Sequence, residues 1–281
     1  MNDSPSVSTE PALISIITSC KGRLHHLKQT LPRMLQQAHA EVIVVDYGCP
    51  DGTASWLNAA HPEVRVVRVD DDPGFNASRA RNKGAEQARG EILFFVDADI
   101  ILLSDLGAWI KEKAEASNYY LAWPNISNVE GTAIIYKSDF FKVGGYDEAY
   151  TGWGGEDRDL YQYLDKYLVA RNRFPSELVE PLAHSDADRL KYSATDSRLA
   201  QVFINRLYRA VKHDLYNITG MQLNIDTRTS LYNEIVKTAL SYFEKKQPDR
   251  LIVKIPDIKA VNHSSYFNRN LVYRFRMPNQ G

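Results

Sequence analysis

Over the first hundred residues, short apolar runs alternate with stretches in which apolar residues return every three or four positions. ALISIITS (12–19) has the run of a buried strand, and LHHLKQTLPRMLQQ (24–37) follows with Leu24, Leu27, Leu31, Met34 and Leu35 on one helical face. EVIVVDY (41–47) is a second strand, and the DGT turn leads into a short helix, TASWLNAA. VRVVRV (64–69), SRARNKGAEQAR (78–89) and EILFFVDAD (91–99) repeat strand, helix and strand. This spacing predicts an α/β fold with a mostly parallel central sheet and helices on both faces.

Past residue 130 the pattern changes. GTAIIY has the apolar run of a strand, and SDFFKVGGYDEAY then precedes the stretch GWGGEDRD (152–159). DLYQYLDKYLVA (159–170), with Leu160, Leu164 and Leu168 in register, predicts a helix starting at or near Glu156. From about 195 the chain turns aromatic and helical (RLAQVFINRLYRAV, TSLYNEIVKTALSYFEKK), ending in LIVKIP and a tail rich in Arg and Tyr. The expected organisation is a flexible start over 1–11, one α/β domain over 12–194, and a mainly helical extension over 195–281 packed on it.

Composition narrows the function more than the fold. A chain of 281 residues with 44% hydrophobic content can bury a substantial core. Its formal charge of -1 gives no global basic field for nucleic acid, so an anionic ligand requires a local site. Cys20 and Cys49 are too few for a disulfide framework or a cysteine-based metal site, and their number suits a reducing compartment. The first dozen residues lack the basic start and apolar run of a signal peptide, and no apolar run is long enough to span a bilayer. A cytoplasmic, soluble protein is expected.

Ligands on open α/β sheets bind beyond the carboxyl ends of the strands. Thr18, Lys21 and Arg23 follow the first strand, Asp46 the second, Asp70 to Asp72 the third, and Asp97 and Asp99 the fourth. In Asp97-Ala98-Asp99, two carboxylates separated by Ala98 can enter one crevice, where burial is costly unless they meet a cation. Hard oxygen ligands suit magnesium or manganese, and such an ion can bridge to a diphosphate. A D-x-D triplet also arises by chance as a turn or cap. His184, in EPLAHSD, is a second metal candidate, although a lone histidine is more often structural.

GWGGEDRD has two readings. In one, the glycines make a turn, Trp153 packs inward and the acids cap the following helix, where negative charge is favoured by roughly 0.3–1 kcal/mol each. In the other, Gly154 and Gly155 let a sugar ring approach the backbone and Trp153 offers an apolar face to its C–H groups. The helix field then keeps Glu156 or Asp157 ionised, as a general base requires. The second reading accounts for an aromatic set among residues without side chains.

The segments ISIITSCKGRLHHLKQTL, VIVVDYGCPDGT and FNASRARNKGAEQARGEILFFVDAD resemble the GT-A fold of family 2-type glycosyltransferases. GGYDEAYTGWGGEDRDL followed by HSD resembles the catalytic half of β-1,4-galactosyltransferases and chondroitin-type N-acetylgalactosaminyltransferases. The likeness covers roughly residues 12 to 190. It implies a metal-dependent, inverting transfer of a hexose or N-acetylhexosamine, with Gal and GalNAc favoured, from a UDP-sugar to a glycan or glycolipid acceptor in polysaccharide biosynthesis.

By that resemblance Asp99 binds the metal directly, with Asp97 assisting and His184 as a further ligand; the ion is manganese, with magnesium as the alternative. Lys21, Arg23, Asp46 and Phe75 hold the uridine diphosphate, joined by Arg79 and Arg81. Trp153 lines the sugar sites, Glu156 bonds donor or acceptor hydroxyls, and Asp157 is the base. Two positions depart from the pattern: Pro181 stands where relatives place a methionine, and Arg158 where they keep an acid. SDADRLKYSATDS, after His184, is expected to be a loop closing over donor. Arg269, Arg274 and Arg276 among Tyr266, Phe267, Tyr273 and Phe275 suit either anionic glycan or lipid headgroups, at an inner membrane face, or a solvated edge. A retaining transferase and a non-catalytic nucleotide-sugar binder are the alternatives.

Overall fold

The computed structural model describes residues 13–123, 128–167, 169–183, 195, 197–245, 250–255 and 271–276. The chain forms two compact units. The first comprises Met1–Pro73, Ala80–Gly145 and Gln162–Ala183, and the second Gly74–Arg79, Tyr146–Tyr161 and His184–Gly281.

In chain order the elements are β1 (Ile14–Cys20), α1 (Leu24–Leu35), β2 (Ala40–Asp46), α2 (Thr53–Ala60), β3 (Arg65–Arg68), α3 (Ala77–Gln87), β4 (Ile92–Phe95), β5 (Ile100–Leu102) and α4 (Leu106–Lys113). They continue with β6 (Asn118–Trp123), β7 (Ala133–Tyr136), α5 (Lys137–Lys142), α6 (Glu156–Lys166), β8 (Ala170–Pro175) and β9 (Val179–Pro181). Helices α7 (Arg198–Thr219) and α8 (Ile225–Lys245) and strands β10 (Arg250–Lys254) and β11 (Val272–Arg276) complete the described chain.

The first unit is built on a seven-stranded sheet in the order β3-β2-β1-β4-β7-β6-β8. Strands β1 to β4 run parallel, as the alternation of strand and helix predicts. Strand β7 is antiparallel to both β4 and β6, and β8 returns parallel to β6. The central strands read as unbroken apolar runs because both faces are covered: Ile14, Ile16, Ile17 and Val42 to Val45 are all buried. Helix α1 buries Leu24, Leu27, Leu31 and Met34, the stripe its sequence displays. Each such side chain contributes about 1.5–3 kcal/mol on full burial. Near β4, β5 pairs with β9 in a short antiparallel ribbon that puts Ile100 opposite Pro181.

Element ends differ from the periodic pattern where side-chain phase says little about hydrogen bonding. Helix α6 starts at Glu156 as expected but stops at Lys166, and Ala170 already belongs to β8. The run EILFFVDAD is a strand only over Ile92–Phe95.

In the second unit, Ser197 Oγ caps α7 by accepting the Ala200 N–H, and Gly220 closes it in the left-handed conformation. Ile204, Tyr208, Val211 and Leu215 of α7 pack with Leu231, Tyr232, Ile235 and Ala239 of α8 and with Leu251 and Val253 of β10. Strands β10 and β11 form an antiparallel pair, an addition to the mainly helical extension expected here.

Candidate functional site

In the first unit, the D-x-D triplet sits at the carboxyl edge of β4. Thr30 Oγ1 of α1 donates to the Ala98 carbonyl at 2.9 Å, and Ile100 N–H to the Asp97 carbonyl at 3.1 Å, which fixes the turn. Each carboxylate meets a guanidinium from a different element. Arg23 Nη1 donates to Asp99 Oδ2 at 2.8 Å, and Arg81 Nη2 to Asp97 Oδ1 at 2.8 Å. These are the cations that burial demands; the Asp99 side chain is only 7% exposed, whereas Asp97 is 39% exposed.

Gly131, just before β7, lies against this pair. A Cβ there would fall 2.6 Å from Arg81 Nη2 and 2.9 Å from Asp97 Oδ2, so a larger residue would displace the ends of this pair. Arg81, paired with Asp97, is thus drawn into the same cluster as the triplet. The Leu182 N–H donates to the Asp99 carbonyl at 2.7 Å, two residues short of His184. His184 itself lies outside the described residues. Among the described residues no cluster of three or more His, Cys, Asp or Glu side chains suits a metal. Asp97 and Asp99 are hard oxygen donors of the type that magnesium or manganese takes one or two at a time, with water and substrate phosphate filling the other positions.

The other strand-end residues have distinct surroundings. Lys21 Nζ donates to the Pro73 carbonyl at 3.2 Å and lies 5.4 Å from the Tyr47 ring centroid; the Tyr47 hydroxyl donates to Asp72. Asp46 is buried and holds a loop: its oxygens accept Cys49 N–H and Ala54 N–H, each at 2.7 Å. Thr18 is buried within β1, and Asp70 pairs with Arg68. Cys20 and Cys49 are free thiols with sulfurs 3.9 Å apart. Burial pushes the Cys20 thiol up to about 12.

The second unit carries Phe75, Arg79, Trp153, Gly154, Gly155, Glu156 and Asp157. Asn76 caps α3 by accepting the Arg79 N–H at 2.9 Å, and its amide donates to the Glu148 carbonyl. Gly152, Gly154 and Gly155 have φ of 76°, 85° and 103°, so the glycine-rich stretch is a turn that other residues would strain. It delivers Glu156 and Asp157 to the first turn of α6; Glu156 is buried, Asp157 half-buried and Arg158 exposed.

Helices α7 and α8 hold this turn from beneath. Asn205 Nδ2 donates to the carbonyls of Trp153 and Gly154, while Gln201 Nε2 and the Tyr232 hydroxyl donate to Thr151 O at 3.0 and 2.8 Å. The Arg198 guanidinium lies 5.1 Å from the Trp153 ring centroid. One turn further along α6, Asp159 Oδ2 and Asp147 Oδ2 both accept from Lys212 Nζ, at 2.5 and 2.6 Å. His213 Nε2 donates to Asp159 Oδ1 at 2.9 Å, and Arg228 Nη1 and the Tyr208 hydroxyl serve Asp147 at 2.9 and 2.8 Å.

Burial pushes the Asp159 carboxyl up, but Lys212 and His213 more than offset it and hold it below the ordinary carboxylate value. Burial, with Asp159 and Asp147 nearby, raises the hydroxyls of Tyr150 and Tyr208 well above theirs. Sequence inspection missed this scaffold. Its signal is that Gln201, Asn205, Tyr208 and Lys212 occupy the apolar phase of α7, where polar side chains require buried partners.

Residues 15–155 match the family model described as Glycosyl transferase family 2, half of the chain, and the chain belongs to that family. Validoxylamine A glucosyltransferase of Streptomyces hygroscopicus subsp. jinggangensis is 24% identical over 219 residues, covering 56% of this chain and 52% of the relative. Mouse β-1,4-galactosyltransferase 1 is 25% identical over 175 residues, covering 57% of this chain and 39% of the relative. The chain thus spans about half the length of the first relative and about two fifths of the second. Among solved structures, a mannosyltransferase of Pyrobaculum calidifontis in complex with GDP-Man and Mn2+ superposes with TM-score 0.55 at 16% identity, over 90% of this chain and 79% of that one. The fold is GT-A.

Proposed function

We propose that the chain is a metal-dependent, inverting glycosyltransferase that moves a hexose or N-acetylhexosamine, galactose or N-acetylgalactosamine by preference, from a UDP-sugar to a glycan or glycolipid. The carrying observation is the Asp97-Ala98-Asp99 turn at the carboxyl edge of the parallel sheet, with Arg23 and Arg81 against its two carboxylates. Family membership and similarity to a β-1,4-galactosyltransferase support it.

Asp99 and Asp97, joined by His184, would hold manganese or magnesium; when bound, such an ion neutralises charge on a departing diphosphate. Arg23 and Arg81 supply cations at the same edge, and Lys21, Asp46, Phe75 and Arg79 complete the proposed nucleotide contacts. Gly154, Gly155 and Trp153 would receive the sugar, and Glu156 would bond its hydroxyls. Asp157 takes the proton from the acceptor hydroxyl as that oxygen attacks the anomeric carbon and the bond from that carbon to the diphosphate oxygen breaks. Action in the cytoplasm, at the inner membrane face when the acceptor is a glycolipid, belongs to the same proposal. Among the described residues no helix is long and apolar enough to cross a membrane.

The test is Asp157→Asn, assayed against a panel of UDP-sugars with manganese. Transfer should be abolished while calorimetric binding of UDP-sugar is retained; near-normal turnover would remove Asp157 as the base. The anomeric proton coupling of the product separates inversion from retention.

A further inference from the structure

Trp123 ends β6 with half its surface exposed. Burying its ring would be favourable, yet the fold leaves it open at a strand's carboxyl end. The Arg173 guanidinium carbon lies 3.7 Å from the ring centroid, stacked on one face of the indole. Stacking uses the plane of the guanidinium and leaves its N–H edge available to an anion. Among the described residues, no carboxylate makes a salt bridge with Arg173.

Sheet register shows where this pair sits. Phe95 of β4 is opposite Ala133 of β7, which is opposite Leu121 of β6, which is beside Arg173 of β8. Two residues beyond that row, at the carboxyl ends of β4 and β6, come Asp97 and Trp123, with Gly131 of the intervening chain in contact distance of Asp97. Because side chains alternate with period two, Trp123 and Arg173 share one face of the sheet. Neighbouring strands lie about 4.8 Å apart, so β4 and β6, with β7 between them, end roughly 10 Å apart along the carboxyl edge of the sheet. That is a separation on the scale of a disaccharide.

A half-exposed indole stacked with a cation, on the same edge as the D-x-D turn, suits a ligand that offers both an apolar face and a negative charge. We propose that Trp123 and Arg173 form an acceptor subsite for a saccharide bearing an anionic group, with the pyranose C–H face on the indole and a carboxylate or phosphate on the Arg173 N–H edge. The word acceptor rests on the glycosyltransferase function proposed above; the binding site does not. A neutral glycan would use the indole alone and leave the guanidinium idle.

The test titrates the full chain calorimetrically, with UDP and manganese present, with three disaccharides differing only at the terminal residue: glucuronate, a 6-phosphohexose and the neutral hexose. An anionic ligand should bind roughly tenfold tighter than the neutral one, and Arg173→Gln should abolish that difference. Trp123→Ala should weaken all three about tenfold, and Trp123→Tyr should restore part of the loss. Whether glucuronate or phosphohexose binds tighter identifies the source of the charge. Equal affinity for charged and neutral ligands, binding unaltered in both variants, or no binding by any of the three would overturn the proposal. UDP release from UDP-sugars without acceptor, measured on the same preparations, reports separately on the transferase function, since Trp123 and Arg173 are exposed and outside the proposed donor contacts.

Discussion

Lys212 is a buried cation shared by Asp147 and Asp159, and Lys212→Met isolates its contribution. The native ammonium is 1% exposed and lies 2.6 Å from Asp147 and 2.5 Å from Asp159, whose side chains are 3% and 2% exposed. Methionine fills similar volume but leaves two buried carboxylates without their shared cation. Breaking a buried ion pair in this way costs about 3–5 kcal/mol. His213 still serves Asp159 and Arg228 still serves Asp147, which favours the lower half of that range. At about 2–4 °C per kcal/mol for a domain of 150–250 residues, the melting temperature should fall by about 10 °C.

Urea unfolding followed by circular dichroism measures the loss, and pH supplies a signed control. The folded Asp159 pKa is depressed, so its contribution is complete above the ordinary carboxylate pKa. It disappears as pH falls through the folded value. The stability gap between wild type and Lys212→Met should therefore be constant near neutrality and close in acid below about pH 4. Adding Asp147→Asn and Asp159→Asn to Lys212→Met should recover part of the loss by removing the uncompensated charges. A gap under about 1 kcal/mol at pH 7, or one that widens in acid, would refute the assignment of Lys212 as the neutralising cation.

Gly155→Ala places a Cβ 2.9 Å from Asn205 Cβ at a φ of 103°, so urea denaturation should show a loss of roughly 1–3 kcal/mol; a variant as stable as wild type would contradict the strained turn. Native protein exposed to a thiol reagent at pH 8 should label at half-buried Cys49 and not at Cys20, whose thiol burial holds at about 12; equal labelling rates would refute that burial.

Legibility tracked periodicity. The strands over 14–20 and 40–46 and helix α1 were visible because their apolar residues repeat at the period of the element that buries them. The D-x-D triplet was visible because two carboxylates at the end of an apolar run have few uses. The sequence marks Arg23 and Arg81 as candidates for the nucleotide and is silent on their pairing with Asp99 and Asp97, because a salt bridge across 76 or 16 residues leaves no local pattern. Asp46 illustrates the same limit: its position at a strand end marks it as a ligand candidate, and its bonds to the Cys49 and Ala54 N–H groups, which hold the following loop, appear only in the folded chain.

By itself, the sequence determined the parallel-strand architecture, the turn of glycines before α6 and the candidate chemistry, because each depends on residues close together in the chain. Tertiary structure alone decided which cation meets which carboxylate, that Asp147 and Asp159 share Lys212, and that Arg173 stacks on Trp123. Those are contacts between distant segments, set by sheet register and helix packing, and free-energy differences of long-range pairing carry no signature in the spacing of neighbouring residues.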